Sequence, residues 1–215
     1  MRTDTLKDSY NTYWKKALNV DEDLFSCMSL RDFVNLKKAV SNINNIITLE
    51  TTKQFVHFLV EKDIVSDSQA KKMMGIVEET NANTNGYDIE YPLKRNDTAS
   101  NYFLDVETKI VAEVKCCIPV NKSSYGAAQE KSIINDIVGL AEGKSKSLLK
   151  SELPEYYKFL VLLGANTETE KEKVLESAKK IVQKTLKEHA NYKVELFEDS
   201  MKLDSSTIYV VIINY

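Results

Sequence analysis

The sequence predicts a mixed α/β fold, a β-sheet flanked by helices behind a helical N-terminal region, and three observations lead there. The first eighty residues carry helical spacing of apolar positions; after Gly86 the pattern changes to alternation with β-branched and aromatic residues; and from about Ala127 amphipathic segments alternate with short apolar runs. The composition shift puts a boundary near residue 80, separating a helical region, 1–80, from an α/β core, 81–215.

In "SLRDFVNLKKAVSNI" the residues Leu30, Phe33, Val34, Leu36, Val40 and Ile43 recur at near-helical spacing, with Ser29 as N-cap. "TTKQFVHFLVEKDIV" and "SDSQAKKMMGIVEET" follow as two shorter amphipathic segments, the second introduced by the capping residues Ser66 to Ser68. The polar run "TNANTNG" ends the helical part. Strands are expected at "YDIEYPL", "NYFLDVE" and "KIVAEVKCCI". A helix runs from about Ala127 to about Gly143, with Ile133, Ile134, Ile137, Val138 and Leu140 on its apolar side. "YYKFLVLLG" reads as a buried strand, "ETEKEKVLESAKKIVQKTLKEH" as a charged amphipathic helix, and "YKVELFE" and "TIYVVIINY" as final strands.

Composition narrows the function. A chain of 215 residues with 43% hydrophobic and 28% charged residues is ordinary for a globular protein, and its net charge of -3 offers no global attraction for nucleic acid, so any phosphate-binding surface must be local. Cys27, Cys116 and Cys117 form neither a disulfide framework nor a zinc motif, which favours a reducing compartment. With no apolar run of membrane-spanning length and no apolar signal core in "MRTDTLKDSYNTYW", the expectation is a cytoplasmic protein without membrane attachment. There is no GxxxxGK[ST] and no GxGxxG, so no nucleotide cofactor is expected. His57 and His189 lie in helical segments far from any acid pair and read as structural.

The chemically unusual stretch is "IVAEVKCC", residues 110–117, where Glu113 and Lys115 interrupt an apolar strand two residues apart and therefore on one face. Buried charge is costly unless it is paired or binds something. Other Glu-x-Lys copies, Glu107 with Lys109 and Glu142 with Lys144, are expected in a hairpin turn and at a helix end, where solvated charges need no explanation.

In order and setting, "GYDIEYPL", "IVAEVKCC", "GAAQEKSIINDI" and "YYKFLVLLG" resemble the core of the PD-(D/E)xK nuclease superfamily, the restriction-endonuclease-like fold. The likeness covers roughly residues 70–165, and "GYD" stands where the family's "PD" would. The resemblance implies a magnesium-dependent endonuclease acting on double-stranded DNA, with manganese as a substitute metal and a homodimer to cut both strands. It implies Asp88 and Glu113 as metal-holding acids, the carbonyl of Val114 as a further ligand, Lys115 orienting the attacking water, and Gln129 beside the phosphate. Two converging carboxylates suffice for magnesium, which keeps several waters.

Strand geometry bears on the second acid. The tightest hairpin through "FLDVETKIVAEV" pairs Asp105 with Ile110, on the face away from Glu113 and roughly 10 Å along the strand from it. Asp88, following Gly86, avoids this; a bulge or a three-residue loop would restore Asp105. Glu78 and Glu79 offer a further acid, or are solvated helix-end charges. Lys122, Lys131, Lys144 and Lys146 offer phosphate contacts, or a wet surface. Two rivals stand beside the restriction-like reading: a structure-specific repair or junction nuclease, and a non-catalytic binding module in which Glu113 and Lys115 are an ordinary ion pair.

Overall fold

The computed structural model describes residues 2–40, 43–79, 86–92, 108–119, 125–149 and 151–215. Four helices come first: α1 (Arg2–Leu18), α2 (Leu30–Ala39), α3 (Ile43–Glu61) and α4 (Asp67–Glu79). Then follow β1 (Ile89–Tyr91), β2 (Ile110–Lys115), α5 (Ala127–Glu142), a 3-10 turn (Leu153–Glu155), β3 (Tyr157–Leu163), α6 (Glu168–Glu188), β4 (Lys193–Leu196) and β5 (Thr207–Ile213). The protein is thus mixed α/β, with helices flanking one sheet.

The five strands stand in the order β1-β2-β3-β5-β4. β1 runs antiparallel to β2, and the other neighbours are parallel. Both faces of the sheet are covered, as the continuous apolar runs of β3 and β5 require. On one face Phe55, Val56 and Leu59 of α3 and Met73 and Val77 of α4 pack on Ile110, Ala112, Phe159, Val161 and Tyr209. On the other, Ile133, Ile137 and Leu140 of α5 and Ala178 and Ile181 of α6 pack on Val111, Leu160, Leu162 and Val210. The alternation of β2 therefore assigns Glu113 and Lys115 to the α5 face, with Val111.

The chain divides into compact units at residues 1–44 and 45–215. α3 and α4, which the composition shift groups with the N-terminal helices, contribute to the core of the sheet unit, because their apolar stripes have a complete sheet face to cover. Within the first unit, Phe25 is buried beneath Tyr10, Trp14 and Phe33. Asn11 accepts from Phe25 N at 2.7 Å and donates to Ser26 Oγ. Ser29 caps α2 in a capping box with Asp32, and Ser66 with Gln69 does the same for α4.

The segment "NYFLDVE" and with it Asp105 lie outside the described residues. Ile110 itself has Tyr91 on one side and Tyr157 on the other.

Just after β3, at Gly164, the chain runs hard against the end of β5. Gly164 N donates to Ile213 O at 2.7 Å, and a Cβ there would sit 2.8 Å from that same oxygen. Among the described residues no helix is long and apolar enough to cross a membrane.

Candidate functional site

The register of β1 on β2 builds the site. Ile89 faces Ala112, so Asp88, one residue earlier, comes opposite Glu113. Its carboxylate then continues the ladder in place of backbone: Asp88 Oδ2 accepts from Val114 N at 2.8 Å. A strand residue's N–H and C=O point to the same side. The carbonyl of Val114 therefore also faces the edge where Asp88 stands. Asp88, Glu113 and Val114 are brought together, with Lys115 one step along the Glu113 face.

Glu113 is 4% exposed. Burial, with Asp88 beside it, pushes its carboxyl up to about 8 against the pull of Lys144. Burial also raises Asp88, partly offset by the Val114 hydrogen bond. Like charges crowded out of water resist ionising together, which is the physical signature of carboxylates poised for a cation or a proton.

Two residues complete the site: Asp136, which the sequence reading did not single out, and Lys144, which it offered as a phosphate contact or a solvated charge. Asp136, on the buried side of α5, lies 2.6 Å from Lys115 Nζ through Oδ2 and 3.7 Å from Lys144 Nζ through Oδ1. Burial works against the Lys115 charge, but Asp136 outweighs it and the pKa is raised. Lys144 Nζ stands 2.5 Å from Glu113 Oε1, off the angle of a well-formed hydrogen bond but in direct ion-pair contact. Its reading as a solvated helix-end charge is therefore corrected. The lysine is folded back over α5, where Gly139 leaves room: a Cβ there would come within 3.1 Å of the Lys144 stem.

Tyr87 locks this return. Its hydroxyl donates to Gly139 O at 2.8 Å and accepts from Lys144 N at 3.2 Å, while its ring lies 5.5 Å from the Lys144 ammonium. Burial pushes the phenol up to about 12. Beside it a cavity of about 260 Å³ is lined by Gly86, Lys144, Ser145 and Lys146. The sequence signal for Asp136 is one acid within the apolar side of "SIINDIVGL"; for Lys144 it is the glycine pair Gly139 and Gly143 preceding it.

Of the remaining candidates, Gln129 and Glu78 have partners of their own. Gln129 Oε1 accepts from Gly126 N at 3.0 Å, so its amide closes the first turn of α5. Glu78 pairs with Lys53 at 2.6 Å, linking α4 to α3 on the opposite face of the sheet from Glu113. The side chain of Glu79 and all of Lys122 lie outside the described residues. Cys116 turns to the α3 side, near Thr48 and Thr51, and Cys117 to the α5 side.

Among the described residues no three His, Cys, Asp or Glu side chains form a preassembled metal cluster. The donor set here is two carboxylates and a backbone carbonyl, all hard oxygen ligands of the kind magnesium takes while keeping its waters. Compared with protein-family models, with curated proteins and with solved structures, the chain matches none.

Proposed function

We propose that this chain is a metal-dependent DNA endonuclease of the restriction-endonuclease-like class. The observation that supports it most is the meeting of Asp88 and Glu113 across the β1–β2 ladder, with Lys115 on the same face as Glu113. Asp88, Glu113 and the carbonyl of Val114 would hold the ion. The donors fit, since a divalent cation offsets the burial and the Asp88 charge that together raise Glu113. Bound there, magnesium supplies charge neutralisation at the phosphate and a hydroxide at neutral pH.

The chain's own residues divide the remaining work. Lys115 orients the attacking water, and Asp136 fixes the lysine's ammonium and keeps it charged. Lys144, Ser145 and Lys146 line the adjoining cavity, where Lys146 would present positive charge to a phosphate backbone. A homodimer treating one strand per subunit accounts most simply for double-strand cutting by so small a chain.

A second reading has its own observation. Lys144 with Glu113 and Lys115 with Asp136 make two ion pairs that satisfy each other, as a structural network in a non-catalytic binding module does. Plasmid DNA incubated with magnesium or with chelator separates the two. The nuclease reading expects magnesium-dependent cutting by wild type that falls at least about a hundredfold in both Lys115→Ala and Asp88→Ala with DNA binding kept. No cutting, together with no calorimetric heat on adding magnesium, leaves the ion-pair network as the role of these residues.

A further inference from the structure

Lys158 is the second residue of β3, pairs with Val111 and Ile208, and is 5% exposed inside the sheet. Its ammonium donates to Tyr156 O at 3.1 Å and to Ser205 O. Among the described residues no carboxylate forms an ion pair with it. Burial holds its pKa below the usual lysine range, with Asp204 opposing only at a distance. A sheet position of this kind costs least with an apolar residue, since a buried charge lacking a counter-ion is among the most expensive features a core can carry. Three N–H donors less two carbonyl acceptors leave one donor unassigned.

Lys158 borders a cavity of about 370 Å³ at the C-terminal end of α5, within the size range of small-molecule sites. Lys158 and Lys193 line it with Asn191, Ser205 and Ser206, and Ile208 supplies part of an apolar wall. The neighbouring acids are already engaged. Glu142 Oε1 accepts the Tyr192 hydroxyl, and Asp204 accepts from Ser206 N at 2.9 Å and Ser206 Oγ at 2.6 Å, with Lys193 at 3.8 Å. Lys193 is matched by Asp204 and donates to Ser206 Oγ at 3.1 Å, while neither acid pairs with Lys158, so the charge left without a counter-ion at the cavity is that of Lys158. It is separate from the Glu113 cluster: Lys115 pairs with Leu162, four residues or about 13 Å further along β3.

We infer that this cavity is a binding site for the oxyanion of a small molecule, a phosphoryl or carboxylate group, with Lys158 as its buried counter-charge. The anion completes the ammonium's third hydrogen bond. Lys193 and the Ser205 hydroxyl close on it from the rim, and Ile208, Ala141 and Pro154 accommodate the uncharged part of the ligand.

The test is a titration of the metal-free, isotope-labelled full chain with inorganic phosphate and, separately, with acetate, at constant ionic strength against chloride, reading amide shifts of Asn191, Tyr192, Ser205 and Ser206. The expected result is saturable shifts confined to these residues, weakened at least tenfold in Lys158→Met and several-fold in Lys193→Ala. Lys158→Met is expected to melt no lower than wild type, since it removes an uncompensated charge. Tighter binding of acetate than of phosphate upholds the site and assigns a carboxylate. Should Lys158→Met not fold, Lys193→Ala combined with Ser205→Ala on the rim carries the comparison. Shifts that fail to saturate in wild type, or phosphate binding unchanged in the folded variants, overturn the inference. Lys115→Ala leaves this binding unchanged, so its outcome is independent of the nuclease reading.

Discussion

Lys115 on β2 and Asp136 on α5 meet at 2.6 Å, and this ion pair, 24% and 13% exposed at its two side chains, joins the sheet to the helix that covers it. Asp136→Asn keeps the shape and removes the charge. The half-buried ammonium is then left without its main stabiliser, and the expected loss is about 1–2 kcal/mol, between the values for exposed and buried pairs. Urea denaturation reads it. If the nuclease reading holds, cleavage also slows in this variant, with its alkaline limit moved to lower pH as Lys115 loses the partner that keeps it protonated.

Glu113 makes stability depend on pH in an unusual direction. Folding raises this carboxyl from an ordinary 4.5 to about 8. Between those values the folded state holds a proton that the unfolded chain has released, so stability is greatest on the acid side and declines as pH climbs from about 5 to about 8. The slope for one fully shifted proton is about 1.4 kcal/mol per pH unit. Glu113→Gln is expected to flatten the decline. A wild-type stability that rises across this window would contradict the carboxyl's assigned environment. Magnesium that binds the ionised pair should raise the melting temperature more at pH 8 than at pH 5.5.

Gly164→Ala is expected to destabilise by about 1–3 kcal/mol, the range for overpacking. The obstruction is backbone: the added carbon meets Ile213 O at 2.8 Å and Asn214 Cα at 3.0 Å, neither of which can rotate aside. Thermal melting of the variant measures the effect directly.

Phe55→Ala should cost about 3–5 kcal/mol, since the ring is fully buried and stacks near Phe58 and Phe159 at centroid distances of 6.0 and 5.3 Å. Because α3 belongs to the sheet unit, a chain of residues 45–215 is expected to unfold in one cooperative transition. Loss of cooperativity on removing residues 1–44 would instead make the first unit part of the same core.

Much of this was legible in the sequence. Alternation in "IVAEVKCC" places Glu113 and Lys115 on one face, and the apolar side of α5 is visible in Ile133, Ile134, Ile137 and Leu140. The proximity of Asp88 was less accessible, because "NYFLDVE" has strand periodicity of its own and nothing local says which segment becomes β2's partner. Asp136 was hidden for the opposite reason. Its neighbours satisfy a helical pattern without it, and only the strand lying opposite gives the acid a role. Lys144 follows a helix end, where charge is normally solvated; its return to Glu113 depends on Tyr87 and Gly139 from two separate elements. Lys158 carries the least signal of all, a lysine near the start of an apolar run.

The sheet order also governs assembly in time. β5 lies between β3 and β4 although it follows both in the chain, so those two strands share no ladder of their own. During synthesis β4 has no partner until residues 207–213 arrive, and the apolar inner edge of β3 stays open over the same interval. Until those residues emerge, the sheet therefore has an unfilled slot between β3 and β4, a template for another chain's strand. Stalled or prematurely released products ending before residue 207 are expected to aggregate rather than to persist as shortened folded proteins.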